Sequence, residues 1–315
     1  MKLMENLILS ANVVLPLFIL MITGYCLHKW KILDENTLKQ MNKAVFKVFL
    51  PALIYYNVYT SEISEIFDKK LVIFSVVCVL AMFALLMAII PIVEKDNRKR
   101  GVIIQGIFRS NFVIFGIPLS ASIYGDSIVG SAAVLIAVVV PVFNLLAVIS
   151  LEIFRKGKPD FVKILKGIAT NPLIISSVLG LITLFTGLKL PSLIEKSISD
   201  LAKIATPLAL VILGGSINFS KISGNIRQLV LCVISRLVIV PAVFLSLAVA
   251  MGFRNAELAI LISVFASPTA VSSFTMAQQM GGDDELAGQI VVFGTTFCIL
   301  TVFLWIFIFK QIGVM

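Results

Sequence analysis

Long apolar runs alternate with short polar breaks along the whole chain, and the runs recur ten times. They cover about 7–27, 40–60, 71–93, 101–124, 128–154, 168–187, 197–217, 227–251, 257–280 and 286–310. About twenty residues at 1.5 Å each cross a hydrocarbon core of about 30 Å, so each run is long enough to span a bilayer as an α-helix. The pattern predicts an all-α polytopic membrane protein with ten transmembrane helices. The first run has no small-residue cleavage site and further spans follow it, which makes it a retained helix rather than a signal peptide.

Composition agrees. Of 315 residues, 59% are hydrophobic and 14% charged, and the mean hydropathy is +1.05, more apolar surface than a soluble chain of this size can bury. The net charge of +9 does not imply nucleic acid, because the basic residues sit in short loops where they set topology. Fifteen of the 26 Lys and Arg fall on one side, around Lys29–Lys43, Lys95–Arg100, Arg155–Lys166 and Lys221–Arg227. Eight fall on the other side or at the termini, and Lys47, Arg109 and Arg236 lie within spans. Positive loops stay inside, so the expectation is a multi-pass protein of the cytoplasmic membrane with both termini outside the cytoplasm. Cys26, Cys78, Cys232 and Cys298 lie far apart within apolar runs and read as packing residues. With His28 as the single histidine, no metal-ligand spacing is present.

The prolines carry a second pattern. Pro16 and Pro172 are 156 residues apart, as are Pro51 and Pro207, while Pro91–Pro241 and Pro118–Pro268 are each 150 apart. The four pairs occupy spans one and six, two and seven, three and eight, and four and nine. Tyr124-Gly125-Asp126 is echoed by Gly281-Gly282-Asp283. Residues 1–154 and 168–315 therefore read as two five-helix repeats joined by a cytoplasmic linker, 155–167. An odd number of spans inverts the second repeat, a signature of secondary transporters.

Pro118 and Pro268 fall in the inner part of spans four and nine, each in polar surroundings: Ser110 and Asn111 before the first, Ser267, Thr269, Ser272 and Ser273 around the second. Proline fits the first turn of a helix, so each is expected to start a new half-helix inside the membrane. Gly116 and Ile117 precede the first of these prolines, and Gly116 is expected to allow close backbone approach. Half-helix N-termini present free N–H groups and positive dipole ends, and two of them converging form an anion site. Spans three, four, five, eight, nine and ten have no Asp or Glu in their apolar interiors, and Glu152 and Glu257 lie near ends. The buried charges are positive, so Arg109 or Arg236 is expected to add supporting potential.

The same residues resemble a known family. Asn111 and Gly116-Ile117-Pro118-Leu119, followed by Tyr124-Gly125-Asp126, are similar to the fourth-span crossover of the auxin efflux carriers. Ala266-Ser267-Pro268, Ala277 and Ile290–Gly294 are similar to their ninth span and the start of the tenth; Phe49–Leu53 is similar to their second. The resemblance runs through essentially the whole chain, in order. It implies a ten-helix carrier of two inverted five-helix repeats with broken crossover helices four and nine, a fold like that of bile-acid symporters and sodium–proton antiporters. It further implies a scaffold of spans one, two, six and seven, a transport domain of spans three to five and eight to ten, and a possible homodimer through the scaffold. The short linker matches the compact bacterial form, whose relatives are linked to malonate and other carboxylates, and Thr269-Ala270 depart from the plant pattern.

The expected function is alternating-access transport of a small organic anion, a carboxylate such as malonate or an auxin-like acid. Its substrate-binding residues are Asn111, Gly116, Ile117, Pro118, Ser267, Pro268, Thr269 and Ser272, with Arg109 and Arg236 as supporting charge. No cofactor is expected; Na⁺ or H⁺ coupling stays open. An anion channel, marked by non-saturating flux, and a substrate-sensing receptor, marked by binding without flux, are the competing readings. An enzyme would need a nucleophile–base or metal set, and none is present. The sequence also lacks a phosphate loop for direct ATP driving.

Overall fold

The computed structural model describes residues 2–61, 68–116, 118, 123–125, 127–155, 161–218 and 222–315. Apart from one isolated bridge, the regular structure among them is helical. Helix α1 is Lys2–Lys29, α2 Glu35–Ala44, α3 Leu50–Tyr59, α4 Lys69–Val93, α5 Asn97–Phe108 and α6 Ser127–Ile153. Then follow α7 (Phe161–Ala169), α8 (Pro172–Thr186), α9 (Ser192–Ser216), α10 (Ile222–Ile234), α11 (Val240–Ala250), α12 (Asn255–Ala266), α13 (Ser272–Met280) and α14 (Asp284–Gln311). Among the described residues, five stretches are long and apolar enough to cross a membrane: Lys69–Val93, Ala132–Ile153, Ser192–Ser216, Ile222–Ala250 and Asp284–Gln311. The chain is a polytopic helical membrane protein.

The few carboxylates explain where the helices start. Asp34, Asp68, Asp96 and Asp283 are N-cap residues, each accepting a first-turn backbone N–H, as in Leu286 N to Asp283 Oδ1 at 2.9 Å. These four acids thus sit at helix starts, outside the apolar cores. Part of the expected linker is itself helical, since α7 covers 161–169.

Two interior prolines are absorbed by π-turns. Val45–Phe49 lies between α2 and α3, and Ser235–Ile239 between α10 and α11. Pro51 and Pro241 follow them, in the first turn of the next α-helical segment. Proline donates no hydrogen bond and crowds the carbonyl four residues back, and one extra residue in the turn relieves both problems. The carbonyl left by Pro241, that of Leu237, accepts from Trp305 Nε1 at 3.1 Å. The paired prolines match in order but not in local geometry. Pro16 and Pro207 lie inside continuous helices, whereas Pro172 starts one.

Helices α1, α3, α8 and α9 pack as one group, in which two close crossings depend on glycine. A Cβ on Gly24 would lie 1.9 Å from the Val211 carbonyl oxygen, and one on Gly214 1.9 Å from that of Met21, so α1 and α9 touch backbone to backbone. Gly180 of α8 packs against the Val58 side chain of α3, where a Cβ would lie 2.9 Å from that of Val58 and 3.3 Å from the Tyr55 carbonyl oxygen. Helices α4, α5 and α6 form a second group with α10 to α14.

Candidate functional site

The two broken helices meet at their breaks. Helix α5 ends at Phe108 and α12 at Ala266, and both chains leave extended, through Arg109 (φ −84°, ψ 123°) and Ser267 (φ −66°, ψ 154°). There the strands pair antiparallel: Ser110 bridges Thr269, and Asn111 N donates to Pro268 O at 2.8 Å. The next turns begin at Phe112, in a π-turn through Gly116, and at Ser272 in α13.

These starts differ from the proline-initiated ones expected. The first break lies at residues 109–111, before Gly116-Ile117-Pro118, and α13 begins four residues after Pro268. The physical reason is a shared cap. The last four carbonyls of α5 all find donors: Gln105 O from Arg109 N at 3.1 Å, Gly106 O from Thr269 Oγ1 at 2.6 Å, and Ile107 O and Phe108 O from Arg236 Nη1 at 3.2 and 3.4 Å. With its end satisfied from the opposite chain, α5 stops at Phe108 without needing the proline.

Beside this crossing lies a cavity of about 140 Å³. The crossing contributes Arg109, Ser110 and Asn111 on one strand and Ala270, Val271 and Ser272 on the other. Asn57 of α3, Thr206 of α9 and Asn144 of α6 supply further polar lining, among apolar residues such as Leu53 and Phe143. Ala270–Ser272 lead into the first turn of α13, where Ser273 N donates to Ala270 O at 2.9 Å and Phe274 N to Val271 O at 3.1 Å.

The donors stand out. Arg109 is 4% exposed and, among the described residues, meets no carboxylate. Its guanidinium donates to Asn144 Oδ1 at 2.6 Å and to the Met276 sulfur, a weak acceptor. A guanidinium can only donate, so it fixes the Asn144 amide with its oxygen inward and leaves Nδ2 for another partner. Asn144 Nδ2 and Asn111 Nδ2 are both buried and, among the described residues, have no acceptor. An unpaired buried charge and two orphaned amide donors are costly in a membrane interior unless a guest supplies acceptors.

Of the expected site residues, Arg109, Asn111 and Ser272 line the cavity. Ser267, Pro268 and Thr269 form the crossing instead, bonded through Ser267 O, Pro268 O and Thr269 Oγ1. Arg236 caps the helix ends and does not line the cavity. Gly116 belongs to the π-turn; Pro118 is exposed and is not among the lining residues; Ile117 lies outside the described residues. Sequence reasoning missed Asn57, Asn144 and Thr206. For Asn144 the signal was there, a lone amide in an otherwise apolar span. The cysteines are unbridged, three buried and Cys26 partly so.

A polytopic helical protein whose broken helices meet beside a cationic, donor-rich cavity has the features of a membrane transporter. The chain belongs to the membrane transport protein family that includes the auxin efflux carriers, which matches residues 10–306. An uncharacterized transporter of Methanocaldococcus jannaschii is 27% identical over 301 residues, covering 93% of this chain and 97% of the relative. One of Escherichia coli K12 is 21% identical, covering 95% and 97%. A Rhizobium meliloti protein named "Putative malonate transporter" is 25% identical over 303 residues, covering 92% and 93%. The family and these relatives are transporters, not enzymes.

Proposed function

We propose that the chain is an alternating-access carrier for a small carboxylate, built from ten spans in two inverted halves, with the cavity beside the crossing as its substrate site. The observation that carries this reading is the cavity's donor set. Arg109, the orphaned amides of Asn111 and Asn144, and Ser272 converge on one space, with no carboxylate among the described residues to answer them. A carboxylate accepts several hydrogen bonds and supplies the missing charge. Size favours a short one. A cavity of about 150 Å³ takes up benzene in another protein, and the cavity here is about 140 Å³. Malonate fits that scale, whereas an indole acid requires the site to widen; the printed name of the Rhizobium meliloti relative points the same way.

The glycine crossings support inverted halves. Inversion exchanges span one with six and seven with two, so a close contact between spans one and seven should recur between six and two. Gly24 and Gly214 make the first contact, and Gly180 against Val58 the second. In this reading the group containing α1, α3, α8 and α9 is the scaffold, both chain termini face outward, and the group carrying the crossing moves against it.

The test is uptake and counterflow of radiolabelled malonate in proteoliposomes, alongside a panel of mono- and dicarboxylates and indole-3-acetate. The expected result is saturable uptake of short carboxylates with trans-stimulation. Non-saturating flux without counterflow would mark a channel, and absence of carboxylate flux or binding across the panel would end the proposal.

A further inference from the structure

We propose that Arg236 is a positioning residue, an internal cap that holds the carboxyl ends of both broken helices together and thereby sets the anion donors beside them. Its link to the anion rests on the carrier reading above; the capping itself does not.

Arg236 is 1% exposed and, among the described residues, has no carboxylate partner. Its acceptors are backbone carbonyls drawn from two distant segments. Nε donates to Ser267 O at 2.8 Å and Nη2 to Val264 O at 2.8 Å, at the end of α12. Nη1 donates to Ile107 O and Phe108 O, at the end of α5. Helix C-termini carry negative partial charge, and two of them brought together repel. A planar, always-charged fork with five donors satisfies both ends at once, which a lysine ammonium cannot do in the same geometry.

The π-turn explains how the side chain gets there. Arg236 lies within Ser235–Ile239, where the register shift needed for Pro241 also reorients the turn, and Trp305 fixes the adjacent carbonyl of Leu237. The link to the site is one residue long. Phe108, whose carbonyl Arg236 holds, is followed directly by Arg109, and Ser267 directly precedes Pro268, whose carbonyl holds the Asn111 N–H. A shift of either helix end therefore displaces the guanidinium and amide that face the cavity.

The experiment compares purified wild-type protein, Arg236→Lys and Arg236→Ala by thermal melting without ligand and by malonate binding, each with and without low-millimolar guanidinium or sodium chloride. Arg236→Lys should fold and bind malonate about tenfold more weakly, since it keeps the charge and loses the fork. Arg236→Ala should melt lower, and guanidinium, but not sodium, should restore both its melting temperature and its malonate affinity. If Arg236→Ala does not fold, Arg236→Lys with added guanidinium carries the binding arm. Malonate affinity of Arg236→Lys within about twofold of wild type would overturn the proposal, as would equal rescue by sodium or no rescue by guanidinium. If wild-type protein binds no carboxylate, the carrier reading fails, and the ligand-free melting curves alone decide whether Arg236 is the cap.

Discussion

Arg109 and Arg236 lie in apolar spans, both are buried, and neither meets a carboxylate among the described residues. They differ in what is left over. Arg236 donates to four backbone carbonyls from two helix ends, so its hydrogen-bonding capacity is turned to holding the backbone. Arg109 has an amide oxygen and a thioether as partners and looks into a cavity beside two further orphaned donors. The crossing thus has one arginine that the protein satisfies and one that it does not. A buried cation saturated by carbonyls acts as structure; one with donors to spare, in a space of about 140 Å³, acts as a site.

The strongest way to break this distinction is Arg109→Ala. Charged hydrogen bonds to a guest contribute about 1.5–3 kcal/mol each, so malonate affinity should fall at least about a hundredfold. Stability should hold or rise, because the substitution removes a buried charge that lacks a counterion. Binding assays and thermal melting of the same preparation check both halves. A melting temperature lowered as far as in Arg236→Ala would show that Arg109 is structural as well.

The polytopic helical character was plain in the sequence because apolar runs of this length and regularity have few other readings, and among the described residues five helical stretches are long and apolar enough to cross a membrane. The pairing of spans four and nine was also legible, through Pro118, Pro268 and their polar neighbours. The position of the first break was not. Pro118 drew attention as the helix breaker, yet α5 stops at Phe108 because Thr269 and Arg236, more than a hundred residues later in sequence, take its last carbonyls. A cap donated across the fold leaves no local mark. The direction of Arg236 was hidden for a related reason, since a π-turn breaks the 3.6-residue periodicity from which a facing side chain is read. Asn57 and Thr206 lie on α3 and α9, far from the crossing in sequence, and only packing brings them to the cavity.

Asn144→Asp sharpens the comparison by giving Arg109 the carboxylate it lacks. Asn144 Oδ1 already accepts from Arg109 at 2.6 Å, so an aspartate there would form an ion pair in place. It would answer the guanidinium internally and repel a second carboxylate. Malonate affinity should drop about thirtyfold, by about 2 kcal/mol, while the melting temperature rises. Isothermal titration with melting curves reads both. Unchanged binding would mean that the guest does not use the Arg109 charge.

The smallest expected effect comes from Thr269→Val, which probes the structural side of the crossing alone. Thr269 is buried, its hydroxyl donates to Gly106 O at 2.6 Å, and it does not line the cavity. Valine keeps the branched shape and removes that one donor, a net change of about 1 kcal/mol. Ile107 O and Phe108 O still have Arg236, so the end of α5 should stay in place. The melting temperature should fall slightly, with malonate affinity within about twofold of wild type. A larger loss of affinity would mean that the crossing tolerates no slack and that Arg236 does not fix the helix ends by itself. A small loss confines the positioning to the guanidinium, because a single neutral cap on the same helix end can then be removed while the donors at Arg109 and Asn111 keep their places.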